Sequence, residues 1–402
     1  MMWTGLPTLV FLLLLLSPNA CSAFEQVEKP TADVEPYQVI QRVLVLQDAI
    51  ARLGSPALVP FQRELNDAGA RLRQAPAAAW QKERNASAAV LFVLCGGNRS
   101  TAETILAQPL LNEPIRALLK ASLDFVKGRT NLARAALAGL NLENVQPALR
   151  GNLALTRGMV FSREQPTRSR HEFSLARLYA PGGVVEQVSL RLEVELAKHD
   201  GQAQSAELLL RQLLLRFPHG LHLQEAIETV AELASRAEAG RQTEISASVE
   251  SLLPHLPKEL QLAVSLSFAR QAVLHGQMAL AAAWALRGKF LAEDGSAQRL
   301  QAALYAAAAN VILNPGGDAS GALAMIDPAR LSKDDASLLQ SAIVVEQHIR
   351  EPVDAPSPLD PSARREPDDS SATAPLEADA ARLVKKANAS LDRVAQLLES
   401  KP

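Results

Sequence analysis

Hydrophobic residues recur every three or four positions through most of this chain, from about residue 36 to residue 350. This spacing is typical of amphipathic helices that bury one face. Over residues 37–53, for example, the apolar side chains fall on one helical stripe, and Gly54 then interrupts the pattern. Ser100 and Glu103 have the spacing of a capping box, which predicts another helix start. The sequence therefore predicts many short helices joined by turns.

Beyond residue 112 the predicted helices come in pairs of similar length. After Pro114, pairs begin near Pro147, Val184, His222, Lys258 and Ser296, about 33 to 38 residues apart, with internal breaks near Gln165, Gly201, Gly240, Gly276 and Gly316. Helix pairs with a period of about 34 residues are characteristic of tetratricopeptide repeats, which stack into a solenoid. We therefore predict an all-α, tetratricopeptide-like α-solenoid of helix-turn-helix pairs over residues 113–350. An N-terminal helical region over residues 24–112 is expected to precede it.

The first 23 residues have the pattern of an export signal. An apolar run over residues 9–16 is followed by small residues that end at Ala23. The run is too short to cross a bilayer, which takes roughly 20 apolar residues. We predict a signal peptide over residues 1–23, cleavage after Ala23 and a periplasmic protein. An uncleaved N-terminal anchor is the alternative, because no Lys or Arg precedes the apolar run.

The composition changes at residue 351. Residues 351–375 contain six prolines and almost no large apolar residue, which predicts a Pro-rich disordered linker. Residues 376–402 again place apolar side chains three and four positions apart, as in a coiled coil. We predict a tethered C-terminal amphipathic helix there. Two roles remain open for it: folding back onto the solenoid, or seeking a partner.

Composition and charge exclude several classes of function. The formal net charge is -2, with 41 basic and 43 acidic residues, so a polyanion binder is not expected. Aromatic residues make up only 4% of the chain, and Ala and Leu carry most of its hydrophobicity, which disfavours an all-β domain. Phosphate-binding loops, nucleophile elbows and zinc-protease motifs are missing from the sequence. We predict a protein that is not an enzyme and that needs no cofactor.

Few residues have a type and spacing that suggest catalysis, metal binding or lipid attachment. His219 and His222, with Glu225 nearby, are the one close histidine pair, but the Pro-His-Gly turn between them does not aim both rings at one metal ion. Cys95 ends an apolar stretch and is expected to pack in the core rather than act as a nucleophile. Cys21 is not expected to carry a lipid. The sequence thus predicts no catalytic, metal or cofactor site, and it leaves the partner-binding residues unknown.

Several separate segments resemble one known family. They are residues 35–51, 88–97, 128–140, 153–155, 175–182 and 216–219. In this order they resemble the MotC family of periplasmic motility proteins from rhizobia and related α-proteobacteria, over about residues 35–350, with both ends of the chain expected not to match. The resemblance implies a protein required for flagellar rotation that acts as a specific chaperone or stabiliser of the periplasmic part of the stator protein MotB. It implies no enzyme activity and no cofactor.

Two other functions compete with this interpretation. One is another periplasmic tetratricopeptide-type adaptor, for example in cell-envelope synthesis. The other is the helical part of a lytic transglycosylase. That enzyme needs a compact catalytic domain with an acidic residue in a sugar cleft. Only about 25 residues follow the predicted linker, which is too few for such a domain.

Overall fold

The computed structural model describes residues 35–315 and 317–350, and the regular structure within them is helical. These residues form seventeen α-helices and no strand, which confirms the predicted all-α class. In chain order the helices are α1 (Pro36–Leu53), α2 (Leu58–Gln74), α3 (Glu83–Leu94), α4 (Arg99–Leu106), α5 (Glu113–Val126), α6 (Thr130–Leu137), α7 (Pro147–Phe161), α8 (Pro166–Tyr179), α9 (Val184–His199), α10 (Ala203–Arg216), α11 (Leu223–Arg236), α12 (Ala239–Leu252), α13 (Lys258–Leu274), α14 (Met278–Leu291), α15 (Ala297–Leu313), α16 (Ala319–Ala324) and α17 (Lys333–Arg350). The predicted signal peptide, linker and C-terminal helix lie outside the described residues.

From α7 onward the helices form successive antiparallel pairs. Helix α7 packs against α8, α9 against α10, α11 against α12 and α13 against α14. The first helices of neighbouring pairs also pack on one another, in a row that runs α7, α9, α11, α13, α15 and α17. Each pair thus buries its apolar face against the next pair, as a solenoid requires. The predicted α-solenoid is confirmed, whereas its tetratricopeptide-like character stays a prediction.

Most helices begin and end at the residues that the sequence pattern predicts, but two helix starts differ from the prediction. Gly240 was expected to separate two helices, but it is the second residue of α12, and the chain turns before it at Ala237. Glycine is tolerated in a first turn, where the backbone is less constrained by packing. Asn98, not Ser100, caps α4, since its side chain accepts the N–H of Thr101 at 2.9 Å. Asn is as good an N-cap as Ser, so the earlier residue takes the position.

Two large hydrophobic cores and one small cluster, of Ala133, Val160 and Phe161, fill the described part of the chain, and α9 belongs to both large cores. The first core includes α1 to α8, with Trp80 and Phe92 fully buried in it. The second core runs from α9 to α17 and is rich in alanine, which lets α13, α14 and α15 approach closely. Helix α9 contributes Leu192 to the first core and Leu190 to the second. None of the helices described is long and apolar enough to cross a membrane.

Candidate partner-binding groove

The N-terminal helix α1 packs back against the start of α9, at a contact that we call the α1–α9 junction. The carboxylate of Asp48 accepts the backbone N–H of Val184, the first residue of α9. Free N–H groups at a helix start favour such an acceptor. A Cβ atom on Gly183 would overlap the Asp48 carboxylate, and one on Gly54 would overlap the carbonyl oxygen of His219. Glycine at both positions therefore allows the two parts of the chain to touch.

Two partly buried polar side chains, Gln47 and Asp48, and the buried thiol of Cys95 complete the α1–α9 junction. Burial raises the pKa of Asp48, although the N–H of Val184 and the charge of Arg52 oppose the change. The thiol of Cys95 donates a weak hydrogen bond to the side-chain oxygen of Gln47, at 3.4 Å. Burial, with the nearby Asp48 carboxylate, raises the pKa of Cys95 to about 12. Gln47, Asp48 and Cys95 belong to segments that carry the family resemblance, residues 35–51 and 88–97, and they stabilise this contact.

The reactivity of Cys95 can be checked directly. A purified chain that begins at Phe24 has Cys95 as its one cysteine. Because the thiolate is the reactive form and the pKa lies near 12, we expect almost no reaction with Ellman's reagent at pH 8 in the folded protein. Full reaction should appear in guanidinium chloride. An added exposed cysteine, Ser100→Cys, serves as the control and should react at once; rapid labelling of Cys95 without denaturant would contradict the buried position.

The structure places His219 and His222 in two different contacts. His222 has a left-handed backbone (φ 61°) before α11, and its Nδ1 lies 3.2 Å from Oε1 of Glu225. The other oxygen of Glu225 is 3.7 Å from the guanidinium of Arg191. His219 contributes its carbonyl oxygen to the α1–α9 junction. In the described residues no three His, Cys, Asp or Glu side chains are grouped so that they could hold a metal ion.

An open groove crosses the first helices of the later pairs. Its volume is about 540 Å³. Helix α9 is buried along almost its whole length, and α1 is an additional neighbour at its start, whereas α11 exposes polar side chains. The groove begins at α11, the next helix of the row after the one that α1 contacts. The lining residues come from α11, α13, α15 and the start of α17, and they include Glu228, Glu259, Leu262, Leu266, Arg270, Gln301, Tyr305, Ser332 and Asp335.

The buried carboxylate of Asp335 connects the helices at the bottom of the groove through hydrogen bonds. Asp335 accepts hydrogen bonds from the hydroxyl of Tyr305 at 2.7 Å, the amide of Gln301 at 2.8 Å and the hydroxyl of Ser332 at 2.8 Å. Its own backbone N–H donates to Ser332 Oγ at 3.1 Å, which caps the start of α17. Burial, together with the adjacent Asp335 carboxylate, raises the pKa of Tyr305. The hydroxyl therefore stays protonated, and the network fixes α17 against α15.

The rim of the groove is acidic. The one arginine that lines the groove, Arg270, lies 3.5 Å from a carboxylate oxygen of Asp334 and 3.6 Å from one of Asp335. These two ion pairs neutralise its positive charge. Glu228 and Glu259 are exposed and take part in no ion pair within residues 35–315 and 317–350. Two carboxylates thus face the opening without a cation. The arrangement suits a positively charged ligand.

The sequence prediction did not identify this groove. Glu228 and Glu259 occupy the polar faces of amphipathic helices, where acidic residues are ordinary. One signal was available: Tyr305 is one of three tyrosines and stands directly before the alanine run 306–309. A large polar aromatic residue in an otherwise small-residue helix needs a hydrogen-bond partner when it is buried.

A solenoid of helix pairs with an open polar groove is typical of proteins that bind another macromolecule. The comparison with known families is specific: the sequence model of the family described as chemotaxis protein MotC matches residues 3–402. The chain belongs to this family. A similar relative is the chemotaxis protein MotC of Rhizobium meliloti (strain 1021), which is 27% identical over 341 residues, covering 82% of this chain and 77% of that protein.

The family match confirms the resemblance and corrects its extent. The ends of the chain were expected not to match, but the match begins at residue 3 and continues to residue 402. The regions predicted as signal peptide, linker and C-terminal helix therefore belong to the family pattern as well. The family is named for chemotaxis and not for a catalysed reaction, which associates the chain with motility.

Proposed function

We propose that this protein is a periplasmic, non-enzymatic component required for flagellar rotation, which acts as a specific chaperone or stabiliser of the stator protein MotB. The observation that carries the proposal is the family match over residues 3–402, with its description as a chemotaxis protein. An open groove on a solenoid supports it, because such a surface can hold part of another protein.

The proposed mechanism is stabilisation by binding. A protein that binds the folded partner, and not its unfolded chain, stabilises the partner by RT ln(1 + [L]/Kd), about 2.7 kcal/mol when the binder is present at one hundred times Kd. That shift lowers the population of unfolded MotB about a hundredfold, and unfolded chains are the form that proteases degrade. The protein needs no covalent chemistry for this role.

A deletion strain tests the proposal. We expect cells with flagella of normal number and appearance under the electron microscope, but without swimming. Immunoblots should show a reduced amount of MotB, while its transcript level stays unchanged. Expression of the intact chain from a plasmid should restore both motility and MotB. The purified chain should also capture the periplasmic part of MotB.

Two results would count against the stabiliser role. One is normal swimming of the deletion strain. The other is an unchanged amount of MotB together with no complex, even after crosslinking. Normal swimming accompanied by septation or cell-wall defects would instead favour the second function considered above, a periplasmic adaptor in cell-envelope synthesis.

A further inference from the structure

We propose that the groove between α11, α13, α15 and the start of α17 binds an extended, Lys- or Arg-bearing peptide segment of the partner protein. The identification of that partner as MotB rests on the function proposed above. The chemistry of the bound segment follows from the groove itself, through its dimensions, its charges and its exposure.

The dimensions fit a short extended peptide. Neighbouring packed helices lie about 8 to 10 Å apart, so the three helices α11, α13 and α15 span roughly 20 Å. An extended chain rises about 3.3 Å per residue, which gives a segment of about six residues. The groove volume of about 540 Å³ is within the ordinary range for binding clefts.

The side chains in the groove match a basic segment. Leu262 and Leu266 of α13 provide apolar surface, on which the methylene stems of Lys and Arg pack well. Glu228 and Glu259 then stand where the charged ends of those side chains would lie. Arg270 does not oppose them, since Asp334 and Asp335 neutralise its charge.

Two further features support a ligand-binding surface over an ordinary polar face. The chain packs its own helix α1 against the start of α9 and leaves the same row of helices open from α11 onward. The floor is also fixed in advance by the hydrogen bonds of Asp335 with Tyr305, Gln301 and Ser332. A preorganised floor reduces the entropy that binding must overcome.

The test compares two double variants of the full chain. Glu228→Gln with Glu259→Gln removes both unpaired charges from the groove and keeps the shape of the side chains. The matched control, Glu238→Gln with Glu244→Gln, removes two exposed charges at α12, outside the groove. Circular dichroism should show that both variants fold. Fluorescence anisotropy then measures binding of a fluorescein-labelled 12-residue peptide of alternating Lys and Ser, and calorimetry measures binding of the periplasmic part of MotB.

The expected result is a difference between the two variants. The groove variant should bind the Lys-Ser peptide about fivefold to tenfold more weakly than the wild type, while the control variant binds like the wild type. An analogous Glu-Ser peptide should not bind to any of them. Raising the salt concentration from 0.1 to 1 M shortens the screening length from about 10 to about 3 Å and should reduce the difference.

The outcomes separate this inference from the proposed function. If the groove variant binds the Lys-Ser peptide as well as the control variant does, the inference is wrong, whatever happens with MotB. If the wild-type chain captures MotB and the groove variant captures it equally well, the groove is not the contact surface and the stabiliser role remains. If the Lys-Ser peptide result is as expected but MotB does not bind, the groove binds basic segments of another partner and the stabiliser role fails.

Discussion

Replacing Gly54 by alanine should destabilise the protein by about 3 kcal/mol. Gly54 follows α1 with φ +69° and ψ -140°, a combination that side chains with a Cβ rarely adopt and that costs roughly 1 to 3 kcal/mol. The added Cβ would also overlap the backbone carbonyl oxygen of His219, which cannot move aside as a flexible side chain could. The substitution therefore separates α1 from the turn before α11.

The matched control for this prediction is Gly128→Ala. Gly128 also has a positive φ, +74°, but nothing lies within 4 Å of the Cβ position. It carries only the backbone cost, about 1 kcal/mol. Denaturation with urea, followed by circular dichroism, measures both losses. Equal losses for the two variants would mean that the contact between Gly54 and His219 contributes nothing to stability.

The helices could be predicted because their signals are local. An apolar stripe with an interrupting Gly54 identifies α1, and proline after a polar residue identifies the start of α7 at Pro147. Where the prediction failed, two local signals competed. Asn98 and Ser100 are both good caps, and Gly240 is compatible with a turn as well as with a helix start. Propensities of this kind differ by less than the energies of tertiary contacts.

The α1–α9 junction could not be predicted, because its partners are far apart along the chain. The sequence indicates that the chain turns at Gly54 and again at Pro218, but not that the two turns meet. The family resemblance included Asp48, in residues 35–51, and His219, in residues 216–219, but neither Gly54 nor Gly183. The contact gives Asp48, which lies in a segment of the resemblance, a physical role: its carboxylate fits against Gly183 across the junction.

The groove could not be predicted from the sequence either, but for a different reason than the α1–α9 junction. Each of its charged residues occupies an unremarkable position on its own helix, and only the register of three packed helices brings Glu228 and Glu259 to one opening. The period of the repeat fixes that the helices stack, but not how far each one is rotated. Rotation depends on the packing of individual side chains, such as the small residues Ala302 and Ala309 of α15.

Replacing Asp335 by alanine should destabilise the protein by about 3 to 4 kcal/mol. Its side chain is 3% exposed and accepts hydrogen bonds from Tyr305, Gln301 and Ser332. The substitution leaves the buried Tyr305 hydroxyl without an acceptor and removes a buried partner of Arg270, and losses of this kind cost several kcal/mol. Chemical denaturation of the purified variant measures the effect.

Asp334 provides the comparison for this last prediction, because it directly precedes Asp335 in α17 and also lies near Arg270. Its side chain is 63% exposed, so Asp334→Ala should cost no more than about 1 kcal/mol. Asp335→Asn should fall between the two, since the amide keeps one acceptor oxygen and loses the charge. The order Asp335→Ala, Asp335→Asn, Asp334→Ala in decreasing loss is therefore required if the buried network fixes α17 against α15. A loss for Asp334→Ala as large as that for Asp335→Ala would place the anchor at the exposed ion pair with Arg270 instead.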